Sequence, residues 1–165
     1  MTKLPFYIPD YEVNLRLGKI LLLLHIIKEQ KKDKFVLSLE KIAILEFLTK
    51  HPILLNKLLS DKKLKIINLQ HSEKWSIEAM YPNRGQLFDF KKIKALLNLL
   101  ITYGLVEIKL KNNYEVYYAI NDEGDACASQ FESTYFQRLK HILIEMKPLI
   151  KVSYSKISSE IEPYL

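Results

Sequence analysis

Apolar residues recur at three- and four-residue intervals along most of the chain, and a cap or a breaker bounds nearly every run. Such spacing places them on one face of a helix. The pattern predicts a first helix over about Glu12 to Glu29, with Leu15, Leu22, Leu23, Ile26 and Ile27 among its buried candidates and the charged run Lys28–Lys34 ending it. Ser38 is placed to cap a second helix, in which Leu39, Ile42, Leu45, Phe47 and Leu48 face inward. His51-Pro52 breaks that helix, and Pro52 suits the first turn of a third. From Lys65 to Leu87 no period is evident. Asp89 then caps an amphipathic helix through Ile93, Leu96, Leu97, Leu100 and Ile101, which Gly104 terminates. Leu105–Leu110 and Tyr114–Ile120 read as two strands joined through Asn112-Asn113, a pair that tolerates positive φ. Asn121 or Asp122 caps the next helix, with Glu123 and Asp125 in its first turn. One long helix is expected from Asp125 to about Lys147, carrying Phe131, Tyr135, Leu139, Ile142, Leu143 and Met146 on one face.

A helix, a glycine stop, a hairpin and a further helix form the second half of a winged helix-turn-helix. The expected fold is therefore α+β and mostly α: a winged helix with an N-terminal helix and arm and a long C-terminal helix. It divides into an arm over residues 1–11, a winged-helix domain with helical extensions over 12–147 (wing about 105–120) and a tail over 148–165, read as a short strand or loose segment. The 165 residues and 48% hydrophobic content suit one compact domain. The longest apolar run, Ile20–Ile27, falls short of the roughly 18 residues a membrane-spanning helix needs. The N-terminus lacks the basic start, apolar centre and cleavage site of a signal peptide. A lone cysteine, Cys127, points to a reducing compartment, and a cytoplasmic location is expected.

Charge narrows the functional classes. The net charge is +6, but the 25 basic residues divide into 22 lysines and three arginines, Arg16, Arg84 and Arg138. Arginine is the bidentate reader of guanine and the better phosphate fork. If the Asp89 helix read DNA, its outward stripe would be Lys91, Lys94 and Asn98, with Lys109 and Lys111 near the hairpin as phosphate contacts. That surface is thin and contains no arginine. It suits weak, non-specific DNA contact rather than sequence-specific repression.

Catalytic chemistry has little to work with. Four glycines, at 18, 85, 104 and 124, cannot make a phosphate-binding loop, and His25, His51, His71 and His141 are scattered. His25 reads as a core or boundary residue and Cys127 as a small packed side chain. Ser153 and Ser155 lie near Lys151 and Lys156 without a pocket to make them a catalytic pair. No enzyme activity, cofactor, metal or small-molecule substrate is expected. Phe6 and Tyr7 in the arm, Trp75, Met80 and Tyr81 in the unpatterned segment, and Phe131 and Tyr135 on the long helix are instead the anchors that protein interfaces favour.

Three segments together, SLEKIAILEFLTKHPILLNKLL, SIEAMYPNRGQLFDFKKIKALLNLLITYGLVEIK and YYAINDEGDACA, resemble the small middle components of bacterial ABC-type three-component systems, among them the small subunit of Lamassu-type defence complexes. The resemblance covers roughly residues 12–147, with the LEKIAILEFL helix and the YGLV turn at Tyr103–Val106 as its most recognisable elements. It implies a winged-helix accessory subunit without a catalytic motif, which binds an SMC-like or ABC-type ATPase and links it to an effector, often a nuclease, in antiviral or anti-plasmid defence. Two other readings are left open by the residues: a winged-helix DNA-binding transcription regulator and a stand-alone homodimerisation module.

Overall fold

The structure, a computed structural model, describes residues 12–28 and 37–165, apart from the side chain of Glu78. Helix α1 (Val13–Lys28) is followed by α2 (Leu39–Lys50) and α3 (Pro52–Asp61). Three short helices come next, α4 (His71–Trp75), α5 (Ile77–Met80) and α6 (Arg84–Leu87). Helix α7 (Phe90–Thr102) leads into a hairpin, β1 (Val106–Lys111) and β2 (Glu115–Ile120), and the chain closes with α8 (Asp122–Ser129), α9 (Thr134–Met146) and α10 (Tyr154–Ile161).

The predicted caps form. The Ser38 side chain accepts from the Lys41 amide, Asp89 from the Lys92 amide and Asn121 from the Gly124 amide, satisfying free N–H groups of α2, α7 and α8. Pro52 opens α3, and His51 ends α2 with its ring Nδ1 2.8 Å from the Phe47 carbonyl oxygen. Gly104 leaves α7 at φ +72°, and Asn112 and Asn113 turn the hairpin at φ 53° and 66°.

Helix α2 lies at the centre. Every residue from Lys41 to Leu48 is buried, so it is enclosed on all sides rather than amphipathic. It packs against α1, α3, α7, α9, α10 and β2. Helix α7 is amphipathic: Ile93, Leu96, Leu97 and Leu100 reach the core, while Lys91, Lys94 and Asn98 face solvent. The hairpin pairs Val106 with Ile120 and Ile108 with Tyr118, and Val106, Tyr118 and Ile120 seal its base. The Tyr118 amide donates to the Leu37 carbonyl oxygen at 2.9 Å, placing one residue from the segment before α2 along the outer side of β2.

Two expectations fail. The single long helix after the hairpin is two helices separated at Gln130–Ser133. Ser133 turns its hydroxyl onto the Phe136 amide and starts α9 anew, and the break lets Phe131 stack on Phe136 at a centroid distance of 4.6 Å. Both rings lie over Gly18 of α1, where an added Cβ would come within 2.7 Å of Phe136. The segment after residue 147 is neither strand nor loose. A 3-10 turn at Lys147–Lys151 leads into α10, whose Ile157 and Ile161 are fully buried against the body. The arm, including Phe6 and Tyr7, lies outside the described residues.

Candidate functional site

Residues 65–87 are held to the body at several points. The Asn56 amide group donates to the Ile67 carbonyl oxygen at 2.8 Å, and its carbonyl accepts from the Ile67 amide at 2.7 Å. Arg138 on α9 grips Glu73 with Nε at 2.8 Å and Nη2 at 2.6 Å, and Nη2 also donates to the Asn68 carbonyl oxygen. This fork keeps the Glu73 carboxyl below the ordinary carboxylate range. Burial pushes it upward, but the bonds from Arg138 and the Gln70 amide and the charges of Arg138 and His141 outweigh that. Lys65 reaches Glu145 at 2.6 Å. Ala79 and Leu87 are the buried anchors of α5 and α6.

From this fixed segment large apolar side chains face outward. Trp75 is 65% exposed, Ile77 77% and Tyr81 75%, with Met80 and Phe88 about half exposed. A partly buried arginine fork that fixes the segment, with bare aromatic rings projecting from it, suits an interface anchor, because the rings lose little further freedom on binding. Trp75, Met80 and Tyr81 are thus exposed near one another in the chain, and Ile77 and Phe88 join them. Nothing in the hydrophobic period marked those two, because helices of four residues are too short to show one. Phe131 faces the interior and is engaged with Phe136 and α1, whereas Tyr135 is partly exposed and meets Phe136 edge-on at 5.3 Å.

A second feature is a groove of about 550 Å³ between the start of α2, the outer face of α7 and the hairpin. Leu39, Ile108 and Val116 supply apolar wall, Tyr114, Tyr117 and Tyr118 supply rings, and Glu40, Lys94, Asn98 and Glu115 supply polar groups. Burial, with the nearby Glu40 charge, raises the Tyr118 phenol above its ordinary range, so it stays neutral at physiological pH.

The five candidate DNA contacts are not gathered on one surface. Lys94 and Asn98 line the groove, together with two glutamates. Lys109 and Lys111 alternate with Ile108 and Leu110 and so stand on the reverse face of the hairpin, where Lys109 pairs with Glu107 at 2.6 Å. Lys91 is exposed on α7 outside the groove lining.

Of the remaining titratable groups, His25 Nδ1 lies 2.8 Å from Asp125 Oδ1 and ties α1 to the start of α8, while Cys127 packs partly buried against the core. Among the described residues no helix is long and apolar enough to cross a membrane. No curated protein and no solved structure gives a significant match. Residues 27–159, a span running from the end of α1 into α10, match the family described as ABC-three component (ABC-3C) system Middle Component 4. The chain belongs to the Middle Component 4 family of ABC-three component systems.

Proposed function

We propose that this chain is a non-enzymatic adaptor that joins the ABC-type, SMC-like ATPase of its system to an effector, a nuclease in a defence complex. Membership of a multi-subunit system implies protein partners. The observation that carries the reading is the row of exposed apolar side chains at Trp75, Ile77, Met80, Tyr81 and Phe88, on a segment the Arg138–Glu73 fork holds in place. Exposed apolar material concentrated in one segment is what a partner covers.

The element order supports a winged helix as the platform. Helix α1, the Leu37 position beside β2, α2, α7 and the hairpin come in the winged-helix order, with α3 to α6 inserted between the two helices of the helix-turn-helix. The face that such a fold turns to DNA carries Glu40 beside Lys94, and a carboxylate facing phosphates repels them. DNA contact is at most secondary in this reading.

The test is co-expression with the ATPase encoded beside this chain. The two should co-purify, and the complex should be lost when Trp75 and Tyr81 are both changed to serine, with the thermal transition of the isolated chain unchanged. An isolated chain that shifts one promoter fragment in a steeply salt-dependent way, and loses the shift on changing Lys91, Lys94 and Asn98 to alanine, would overturn the proposal in favour of a transcription regulator.

A further inference from the structure

The hairpin leaves backbone groups open along one side of β2. The Asn121 amide donates to the Leu105 carbonyl oxygen, so the pairs that exchange both backbone bonds fall on the odd-numbered residues of β2. Val116, Tyr118 and Ile120 therefore turn their N–H and C=O groups away from β1. The Leu37 carbonyl oxygen takes the Tyr118 amide at 2.9 Å. The chain after Leu37 does not stay beside β2, because Leu39 already begins α2. Val116, before Tyr118 on the same strand, thus directs a donor and an acceptor into a lane where no described residue bonds to them. Unlike the sealed base of the hairpin, this part is accessible: Val116 is 41% exposed and Tyr114 74%.

The groove of about 550 Å³ runs along this edge. Every residue from Tyr114 to Tyr118 lines it, although successive side chains of a strand point to opposite faces. A hollow over one face would meet alternate residues only, whereas one beside the strand meets them all. Ser38, Leu39 and Glu40 form the opposite wall where α2 begins, and Lys94 and Asn98 flank it from α7. Ile108 and Val116 share one face of the hairpin. Glu115 and Tyr117 belong to the reverse face, where the Tyr117 hydroxyl donates to one Glu115 oxygen at 3.2 Å. Among the described residues Glu40, Glu115 and Lys94 form no ion pair, which leaves two carboxylates against one ammonium in the groove.

We infer that this groove takes an extended segment of a partner protein, which joins the sheet beside Val116 as a further strand in the lane that Leu37 opens. Main-chain bonds to the open edge supply the attraction, and alternate side chains supply the specificity. The residue of the segment opposite Val116 shares the face of Val116 and Ile108 and is apolar. Its neighbours point to the reverse face, and the one beside Glu115 is basic, since opposite charges favour such pairs. The occupant is therefore a strand of alternating apolar and basic residues. A protein strand is favoured over nucleic acid, because the open groups are a backbone donor and acceptor and the carboxylates outnumber the cation. The inference rests on the adaptor reading in taking the partner to be a protein, and it assigns a surface separate from Trp75–Phe88.

Amide-shift titration by NMR of the isolated, isotopically labelled chain tests it, with a blocked peptide of alternating lysine and valine as ligand. In the free chain the Val116 amide should exchange rapidly with solvent while that of Tyr118 is protected. The peptide should shift the amides of Val116, Tyr114 and Leu39, slow exchange at Val116, and dissociate at on the order of 100 μM. A peptide of the same composition with its lysines and valines in separate blocks should bind at least about tenfold more weakly. Glu115→Lys should transfer the preference to a peptide of alternating glutamate and valine. Val116→Pro removes an N–H that β1 does not use and should abolish binding; if that variant misfolds, a backbone-methylated lysine–valine peptide, which cannot donate, should fail to bind in its place. A Val116 amide already protected in the isolated monomer, protection that appears only on self-association, or equal binding of the methylated or blockwise peptide would overturn the inference. So would a single-stranded oligonucleotide that shifts these amides where the peptides do not. The titration uses the isolated chain and the ATPase co-purification reads the Trp75 surface, so failure of one leaves the other to be decided on its own result.

Discussion

Lys41 offers the sharpest test of the packing. It lies on the central helix, 6% exposed, and its Nζ donates to the Leu149 carbonyl oxygen at 3.1 Å. Burial lowers its pKa from 10.5 to about 8, because the apolar surroundings disfavour the charged ammonium. The folded protein thus releases the proton near pH 8, while the unfolded chain holds it to 10.5. Between those values the unfolded state binds more protons, and stability rises with pH. Below pH 8 the full penalty applies, about 3 kcal/mol at 1.36 kcal/mol per pKa unit. Lys41→Met keeps most of the stem and removes the charge. It also abandons the bond to Leu149, which costs about 1 kcal/mol. At pH 7 the variant should therefore be more stable by about 2 kcal/mol. Urea titrations of both proteins from pH 7 to 11 give the difference directly, and the other lysines and the tyrosines cancel in it. The advantage should shrink from pH 8 upward and reverse by about pH 10.5. A difference that stays flat across this range would refute the account of a desolvated ammonium.

The same physics sets two further outcomes. Glu73 has a lowered folded pKa, so its contribution is fully present above its ordinary value of 4.5 and disappears as pH falls through the folded value; the stability difference between wild type and Glu73→Gln, measured by denaturant titration, should be constant at neutral pH and collapse in acid. Gly124→Ala would place a Cβ 2.1 Å from the Leu105 carbonyl oxygen and 2.7 Å from Ile120 Cγ1, both at the base of the hairpin. Backbone cannot yield cheaply there, and a loss of about 2 kcal/mol or more is expected in thermal unfolding.

Elements whose signals were local could be read from sequence. Ser38, Pro52, Asp89, Gly104 and Asn112-Asn113 each act within a few residues of themselves, and each sits where its chemistry implies. The break before α9 was hidden because Phe131, Tyr135 and Leu139 keep a four-residue spacing across it. Its cause, the space above Gly18, lies on another helix. Helix α10 was legible in principle, since Ser153 caps it by accepting from the Lys156 amide, and Ile157 and Ile161 stand one turn apart. Among the candidate site residues, residue type marks Trp75, Met80 and Tyr81, which are exposed, and equally Phe131, which packs inward. Aromatic identity alone does not separate an anchor from a core ring. The Arg138–Glu73 fork that gives the Trp75 segment its fixed position joins residues 65 apart in sequence, which no local pattern reveals.

Charge placement also bears on the winged-helix reading proposed for this chain. A DNA reader concentrates cations on the outer face of the recognition helix and on the wing, since both must meet phosphates at once. Here the alternation of β1 sends Lys109 and Lys111 to the face opposite Ile108 and Leu110, while the groove beside Lys94 and Asn98 receives Glu40. Shifting the hairpin by one residue would bring the lysines to the groove, but it would also drive Val106 out of the core and a glutamate into it. The register that seals the hydrophobic core is therefore the same register that turns apolar side chains, rather than cations, toward the groove. That coupling ties the chemistry of the groove to the folding of the domain itself, and bringing cations to it would require rebuilding both strands together.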